Sequence, residues 1–363
     1  MRGVSPSLDF ASALYLGLRH PSRCVPAWEQ LTTGAPAALT RPPGAAEVSR
    51  RLALLQGCES ATLAPSTLHL FWDFFGTFGG RPATVYVDEV TYPIALWGVE
   101  RARALGARVY AFAHHDPDDL RRLLLRSARA GSAQLVVTDG FCPDCGRLAP
   151  LAEYLAAARS FGGRLILDDT QALGIFGEGP GRASPYGGGG GGGLRWHGLR
   201  DPLVLSISSL AKAFGVPLAV LAGGAEAVHG FEELSETRVH CSPPSVAVLH
   251  AARRALEINL ESGDELRRRL ALRVRHFRRR LREIGVTCRG GPFPVQTLQV
   301  GDSAARRIHA ALLRASVKTI LRRAHTREGA HLTFSITARH RRRDIDYATG
   351  LLARCLEPET RSA

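Results

Sequence analysis

Residues 164–174 read RLILDDTQALG, an apolar run that ends in two aspartates, Asp168 and Asp169. The apolar half has the length and composition of a strand buried on both faces, as in a parallel sheet covered by helices. In such sheets ligands bind beyond the carboxyl ends of the strands, so both carboxylates are candidate binding groups. Since successive side chains point to opposite faces, only one of them is expected to face a site. A helix-capping aspartate at the turn is the alternative.

The same alternation of apolar runs and helical stretches extends outward from this segment. Further strands are predicted at 84–88, 108–112, 135–138, 203–207 and 218–221, with helices at 93–105, 117–130 and 148–160. Asp116 fits the N-cap of the second of these helices, and Pro117 fits its first turn. The order predicts an α/β fold with a mainly parallel sheet covered by helices on both faces.

After Gly224 the pattern becomes that of a smaller α+β unit. A long helical stretch is predicted at 245–283, interrupted near Ser262–Gly263, followed by strands at 295–300 and 331–336 and helices at 304–315 and 344–356. We therefore divide the chain into an N-terminal arm (1–45), a large domain (46–240) and a small C-terminal domain (241–363). The seven glycines at 187–193 predict a flexible surface loop rather than a phosphate-binding loop.

Composition indicates an ordinary globular protein, with 45% hydrophobic and 22% charged residues. We expect a cytoplasmic protein without a membrane span, because the chain has neither a secretory leader pattern nor an apolar run near ~20 residues. The net charge of +14 suggests a nucleic-acid partner. However, the arginines of 265–283 are predicted on the solvated face of a helix, so we expect no nucleic-acid binding and favour acidic or phosphorylated substrates.

Only two of the 47 basic side chains are lysines, Lys212 and Lys318. Lys212 lies in SISSLAKAFG (206–215), in a turn after a predicted strand. In a chain that uses arginine almost everywhere, this favours a role that needs a primary amine able to lose its proton and attack a carbonyl. By itself the feature leaves open an ordinary surface lysine, which is how we interpret Lys318.

An aspartate at a strand end followed by a Ser-x-x-Lys turn resembles the layout of fold-type I pyridoxal 5'-phosphate (PLP) enzymes. More specifically, the chain resembles the α-oxoamine synthase group of the class I/II aminotransferase superfamily. The matching segments are YLGL and HP (15–18, 20–21), AHHD (113–116), VVTDG (136–140), APL (149–151), DDTQALG (168–174) and SLAKAFG (209–215). The likeness is good from residue 16 to 224 and weak beyond.

The resemblance implies a role for each matching residue. Lys212 forms the Schiff base with PLP, and Asp168 keeps the pyridine nitrogen protonated. Ser209 binds the cofactor phosphate, and the turn of Ser66 and Thr67 offers it backbone N–H groups at a helix start. Tyr92 stands where the family has a histidine stacked on the cofactor ring, and its aromatic ring can still stack. A half-buried tyrosine at a helix start is the alternative.

Three positions depart from the family pattern. Gln171 replaces the histidine that contacts the phenolic oxygen of PLP; its amide can donate to that oxygen but cannot titrate. Pro143 replaces a serine. Thr333 falls where the family has the arginine that grips the substrate carboxylate, and threonine cannot make that bidentate contact. Two alternatives stay open: another arginine, Arg327 or Arg339, serves instead, or the substrate lacks a free α-carboxylate there.

The resemblance therefore implies a homodimeric transferase that condenses an amino acid with an acyl thioester, with loss of carbon dioxide and with Lys212 as the base. The thioester would be that of coenzyme A or of an acyl-carrier protein, and the excess of arginine suits either. Two alternatives remain. One is an aminotransferase, or another Cα reaction, on an unusual substrate, and the other is a non-catalytic partner subunit of the same fold.

Cys142 and Cys145 form a single CxxC. Without a second pair at zinc-ligand spacing, we interpret them as loop cysteines rather than a metal site. For His114 and His115 we expect a solvated or capping role.

Overall fold

The computed structural model describes residues 7–79, 81–323 and 330–356. The strands are β1 (Leu8–Asp9), β2 (Ser60–Ala64), β3 (Ala83–Asp88), β4 (Arg108–Phe112), β5 (Ala133–Asp139), β6 (Phe141–Cys142), β7 (Arg147–Leu148), β8 (Arg164–Asp168), β9 (Val204–Ser209), β10 (Ala219–Gly223), β11 (Cys288–Arg289), β12 (Val295–Leu298), β13 (Val317–Lys318), β14 (Ile320–Arg323) and β15 (Ala330–Ser335). The α-helices are α1 (Ala45–Gln56), α2 (Thr67–Gly76), α3 (Pro93–Ala104), α4 (Pro117–Ser127), α5 (Leu151–Ser160), α6 (Gly193–Trp196), α7 (Ala225–Leu234), α8 (Glu236–His240), α9 (Val246–Glu283), α10 (Asp302–Arg314) and α11 (Arg342–Leu356).

Seven strands form the central sheet, in the order β2-β10-β9-β8-β5-β3-β4. The five strands from β9 to β4 are parallel to one another, whereas β10 runs antiparallel to both of its neighbours. The predicted α/β class and mainly parallel sheet are confirmed. Strand β2 was not predicted, because its sequence SATLA is short and only partly buried, and its strand pairing is with β10.

The local signals explain why the elements begin where they do. All six residues of β3 are buried, as expected for a strand with helices on both faces. Helix α4 begins as predicted at Pro117, where the carboxylate of Asp116 accepts hydrogen bonds from the backbone N–H groups of Asp118 and Asp119. Because β9, β8, β5, β3 and β4 are parallel, the loops that follow them lie at one edge of the sheet.

The C-terminal part contains a four-stranded antiparallel sheet, β11-β12-β15-β14, with α10 and α11 packed nearby. One hydrophobic core joins side chains of both parts, for example Leu210 and Phe214 with Leu332 and Ile345. Since the core is shared, the division at residues 240 and 241 stays a prediction. Within the ranges described above, no helix combines the length and hydropathy that a membrane span requires.

The predicted interruption near Ser262–Gly263 is wrong, because α9 continues through 38 residues. Gly263 provides space instead of a break. A Cβ there would lie 2.5 Å from Asn259 Oδ1 and 2.8 Å from Arg267 Nη2. Because Gly263 has no side chain, Arg267 Nη1 can donate a buried hydrogen bond of 2.8 Å to Asn259 Oδ1 across this position of the helix.

The flexible surface loop predicted for the seven glycines is also wrong. Residues 190–193 are buried, and α9 holds the run: Asn259 donates to the carbonyl of Gly189, and Asp264 accepts from its N–H. Glycine is required because the backbones lie in contact. A Cβ on Gly192 would come within 1.9 Å of Asp169 Oδ2. Composition predicted flexibility, whereas the tertiary contacts use the glycines for close packing.

Candidate active site

The carboxyl edge of the central sheet opens onto a cavity of about 570 Å³. Four of the residues predicted from sequence line it: Tyr92, Asp168, Gln171 and Lys212. They come from the loop after β3, the end of β8, the turn after β8 and the turn between β9 and β10. Parallel strands bring these distant segments together, since their carboxyl ends meet at one edge.

Lys212 lies in a tight turn between two antiparallel strands. Its ammonium nitrogen is 5.5 Å from the centre of the Tyr92 ring. Burial lowers the pKa of the Lys212 amine, while the carboxylates of Asp168 and Asp139 oppose that shift. A lowered pKa makes the neutral, nucleophilic amine more available near neutral pH.

Asp168 is 5% exposed and accepts a 3.0 Å hydrogen bond from the backbone N–H of Thr170. Burial raises the pKa of its carboxyl, although the Thr170 contacts and the charge of Lys212 act in the opposite direction. As predicted from the alternation of side chains along a strand, Asp168 lines the cavity and Asp169 is not among its lining residues.

Asp139 also lines the cavity, and it was not predicted as a site residue. It is the last residue of β5, directly opposite Asp168 in the register of the parallel strands, and its Oδ1 accepts from the N–H of Tyr92 at 3.1 Å. Burial and the neighbouring Asp168 raise the pKa of Asp139 well above its usual value. The sequence signal that could have identified Asp139 is its position at the end of a predicted strand, in VVTDG (136–140).

This charge pattern fits PLP. The carboxylates of buried Asp168 and half-buried Asp139 face a single ammonium group, that of Lys212. A protonated pyridine nitrogen would supply a second positive charge beside Asp168, and buried carboxylates require such partners. The residues present therefore fit the cofactor that the sequence implies.

Gln171 is oriented by a residue of the N-terminal segment. The hydroxyl of buried Tyr15 donates to Gln171 Oε1 at 2.9 Å, which leaves the amide N–H₂ of Gln171 free to donate to another acceptor. Tyr15 thus selects the amide orientation that suits donation to an oxygen anion.

Ser66, Thr67 and Ser209 are not among the described residues that line this cavity. They lie at the same sheet edge: Ser66 and Thr67 follow β2, and Ser209 ends β9, with β10 pairing to both strands. Thr67 is the first residue of α2, and no side chain caps the N–H groups of that helix. A helix start with free N–H groups is a favourable anion site.

Asp169 points to the opposite face, where it meets the glycine run. It is 1% exposed, and its Oδ2 accepts from the N–H of Gly193 at 2.8 Å. Burial, assisted by the charge of Asp168, raises the pKa of the Asp169 carboxyl to about 8 from an ordinary 3.8, against the Gly193 hydrogen bond. Asp169 therefore stays protonated in the folded protein near neutral pH.

We expect Asp169→Asn to stabilise the protein more at about pH 8 than at about pH 5. The pKa of the Asp169 carboxyl is higher in the folded protein than in the unfolded chain. Its contribution to the free energy of unfolding therefore falls as the pH rises from about 4 to about 8. Each pKa unit corresponds to about 1.4 kcal/mol, and asparagine removes this dependence. Thermal unfolding at both pH values tests it, with exposed Glu261→Gln as the control. An equal shift in melting temperature at both pH values would contradict the assignment.

Thr333 does not take part in the cavity. Its side chain is fully buried in the small sheet and hydrogen-bonds to Thr297 Oγ1 at 3.0 Å. Arg339 donates to the carbonyl of Gly17 and lines a different cavity. Arg327 lies outside the described residues.

Arg322 is the one arginine among the described residues lining the candidate cavity. It lies on β14, opposite His331 of β15, so it projects from the strand beside the one that carries Thr333. Its guanidinium pairs with Asp144 of the β6–β7 hairpin, and both side chains are only partly exposed, at 31% and 39%. No local sequence signal identified it, because its position depends on the pairing of two strands.

Residues 11–350 match the family model of aminotransferase class I and II. An 8-amino-7-oxononanoate synthase of Acidithiobacillus ferrooxidans is 30% identical over 352 residues, which cover 94% of this chain and 86% of the relative. That of Chromohalobacter salexigens is 31% identical over 369 residues, covering 98% and 91%.

Solved structures show the same fold. A serine palmitoyltransferase from S. paucimobilis with bound PLP–myriocin aldimine matches with a TM-score of 0.83 and 18% identity, over 96% of this chain and 87% of that chain. An 8-amino-7-oxononanoate synthase from Francisella tularensis matches with a TM-score of 0.72 and 16% identity, over 96% and 97%.

The fold, together with the family match and the curated relatives, defines a PLP-dependent transferase of fold type I. The chain belongs to the aminotransferase class I and II family and, within it, to the α-oxoamine synthase group.

Proposed function

We propose that this protein condenses an amino acid with an acyl thioester, releasing carbon dioxide and a free thiol. The observation that carries the proposal is the placement of a half-buried lysine, a buried aspartate and a partly exposed arginine in one cavity: Lys212, Asp168 and Arg322. Membership of the α-oxoamine synthase group supports this reaction over other chemistry of the same fold.

Lys212 and Asp168 are assigned the two central roles. When bound, PLP supplies an aldehyde for covalent attachment and a ring that withdraws electrons from the substrate's Cα. Lys212 holds the cofactor through its amine and later accepts the Cα proton, a role favoured by its lowered pKa. Asp168 holds a proton on the ring nitrogen.

The remaining predicted residues are assigned supporting contacts. The Gln171 amide donates to the phenolic oxygen, in the orientation that Tyr15 selects. The Tyr92 ring, beside the Lys212 amine, covers one face of the bound ring. The start of α2, at Ser66 and Thr67, and the hydroxyl of Ser209 bind the phosphate.

In the proposed condensation, a proton passes from Cα to the amine of Lys212, and a bond forms between Cα and the acyl carbon. The carbon–sulfur bond breaks, and the sulfur takes up the proton held by Lys212 and leaves as a thiol. The bond from Cα to the carboxylate then breaks, which releases carbon dioxide, and a proton takes its place.

Arg322 is proposed to bind the carboxylate of the amino acid. A guanidinium matches a carboxylate with two parallel hydrogen bonds, and its present partner is the carboxylate of Asp144. In this proposal the substrate carboxylate competes with Asp144 for Arg322. Arg322, on the neighbouring strand β14, takes the role of the arginine that the family has at the position of Thr333.

The thioester partner and the assembly are also proposals. The net charge of +14 favours an anionic donor, either coenzyme A or an acyl-carrier protein. A cytoplasmic homodimer is expected. It is supported by large apolar side chains that are exposed on α2 and α3, Trp72 at 43% and Trp97 at 53%, since exposed apolar patches mark interfaces.

We expect thiol release from an acyl thioester to require both PLP and an amino acid. Thiol is measured with a chromogenic disulfide while amino acids are varied, and carbon dioxide release is followed in parallel. Formation of a 2-oxo acid without thiol release would instead indicate aminotransfer. A protein that binds PLP but shows neither reaction with any amino acid and thioester tested would favour the partner-subunit alternative.

A further inference from the structure

Outside the active-site cavity, three potential metal ligands converge on one point. They are His114 and His115, in the loop between β4 and α4, and Cys145, in the β6–β7 hairpin. One ligand atom from each lies within 4.8 Å of the other two. His114 Nε2 is 3.3 Å and His115 Nδ1 is 3.9 Å from Cys145 Sγ.

These separations match the edges of a tetrahedral zinc site. Zinc bonds of about 2.0–2.1 Å to nitrogen and about 2.3 Å to sulfur place a nitrogen and a sulfur ligand about 3.6 Å apart at tetrahedral angles. The donor set, two imidazoles and one thiolate, is one that zinc prefers.

A buried carboxylate orients the first ligand. Asp88, 1% exposed, accepts from His114 Nδ1 at 2.8 Å. A proton on Nδ1 satisfies this contact, and in that neutral tautomer the lone pair of Nε2 faces Cys145. A carboxylate that holds the far nitrogen of a histidine is the usual second partner of a zinc-bound imidazole.

The same carboxylate fixes the second ligand. Asp88 Oδ2 accepts from the backbone N–H of His115, whose φ of 57° is unusual for a residue other than glycine. One buried side chain thus positions both histidines against an exposed thiol that a metal ion can reach.

We propose that His114, His115 and Cys145 form a zinc site, with water as the fourth ligand. On binding, the Cys145 thiol releases its proton to solvent and the thiolate bonds to zinc. The site joins the β4–α4 loop to the hairpin that contributes Pro143 and Asp144 to the active-site cavity. Zinc would therefore stabilise one wall of the active site. Cys145 is then a metal ligand and not an ordinary loop cysteine. His114 and His115 are also ligands and not the solvated or capping residues expected from the sequence.

The test uses tag-free, PLP-loaded protein that is stripped with a chelator and then titrated with zinc against a chromogenic chelator. We expect one zinc per chain. Cys145→Ser and His114→Ala should weaken binding at least about a hundredfold, and Asp88→Asn by about 10- to 100-fold. Cys142→Ser is the matched control, because the Cys142 sulfur accepts a hydrogen bond from the N–H of Cys145 and is not one of the three ligands. It should retain one zinc.

Cobalt bound to the unaltered protein gives a measurement independent of variant folding, since a thiolate-to-cobalt charge-transfer band and strong tetrahedral bands are expected. Unaltered protein that takes up no zinc would overturn the proposal. So would equal affinity in Cys145→Ser, or loss of zinc in a folded Cys142→Ser variant. If the reduced protein binds no zinc and the oxidised protein contains a Cys142–Cys145 disulfide, the zinc site is wrong and the two cysteines form a redox pair.

Discussion

Lys212→Ala abolishes the covalent attachment of PLP and lowers the rate of thiol release by at least about a thousandfold. In the proposed mechanism the variant loses both the amine that holds the cofactor and the base that accepts the Cα proton. Positioned proton transfer alone contributes about 10²–10⁴-fold. Borohydride reduction followed by peptide mapping locates the attachment, and stopped assays give the rate. Arginine at this position should not restore either property, because a guanidinium stays protonated.

The chain supplies its own matched control for this experiment. Its second lysine, Lys318, lies exposed on β13, and Lys318→Ala should keep the cofactor and the activity. Because the protein has only two lysines, peptide mapping can locate the attached cofactor only on Lys212 or on Lys318. Attachment at Lys318, or colour and activity retained in Lys212→Ala, would contradict the assignment of the catalytic lysine.

We expect Arg322→Leu to lower kcat/KM for the amino acid by about 30- to 400-fold, with the larger part of the effect in KM. Loss of one partner of a hydrogen-bonded charge pair costs about 2–5 kcal/mol when the other is left in a desolvated site. Because the arginine is partly exposed, the lower half of this range is expected. Steady-state kinetics with varied amino acid and saturating thioester measure the effect.

Two comparisons make the result specific to the carboxylate. The KM for the thioester should change far less than the KM for the amino acid. Arg339→Leu removes the other arginine considered from the sequence, which bonds to Gly17 and lines a different cavity, and it should leave the KM for the amino acid within about threefold. If Arg339→Leu raises that KM and Arg322→Leu does not, the proposed carboxylate site is wrong.

Local patterns in the sequence determined the scaffold and the centre of the site. Apolar runs that alternate with helical stretches predicted the parallel strands, because hydrophobic periodicity reports burial along each element. Asp168 was singled out by its position at a strand end, and Lys212 by the scarcity of lysine in the chain. Their roles were implied by the resemblance to PLP enzymes. Their convergence on one cavity required only that the sheet form.

Tertiary structure decided every feature that depends on which distant segments touch. The register of β5 and β8 brought Asp139 beside Asp168, and the pairing of β14 with β15 brought Arg322 into the cavity. Contacts with α9 converted the glycine run from a predicted flexible loop into packed backbone. The convergence of His114 and His115 with Cys145 is of the same kind. Local sequence patterns identified most of the strands and helices, and the strand ends that carry reactive groups. The partners of those groups depend on three-dimensional packing, which hydrophobic periodicity along one segment does not encode.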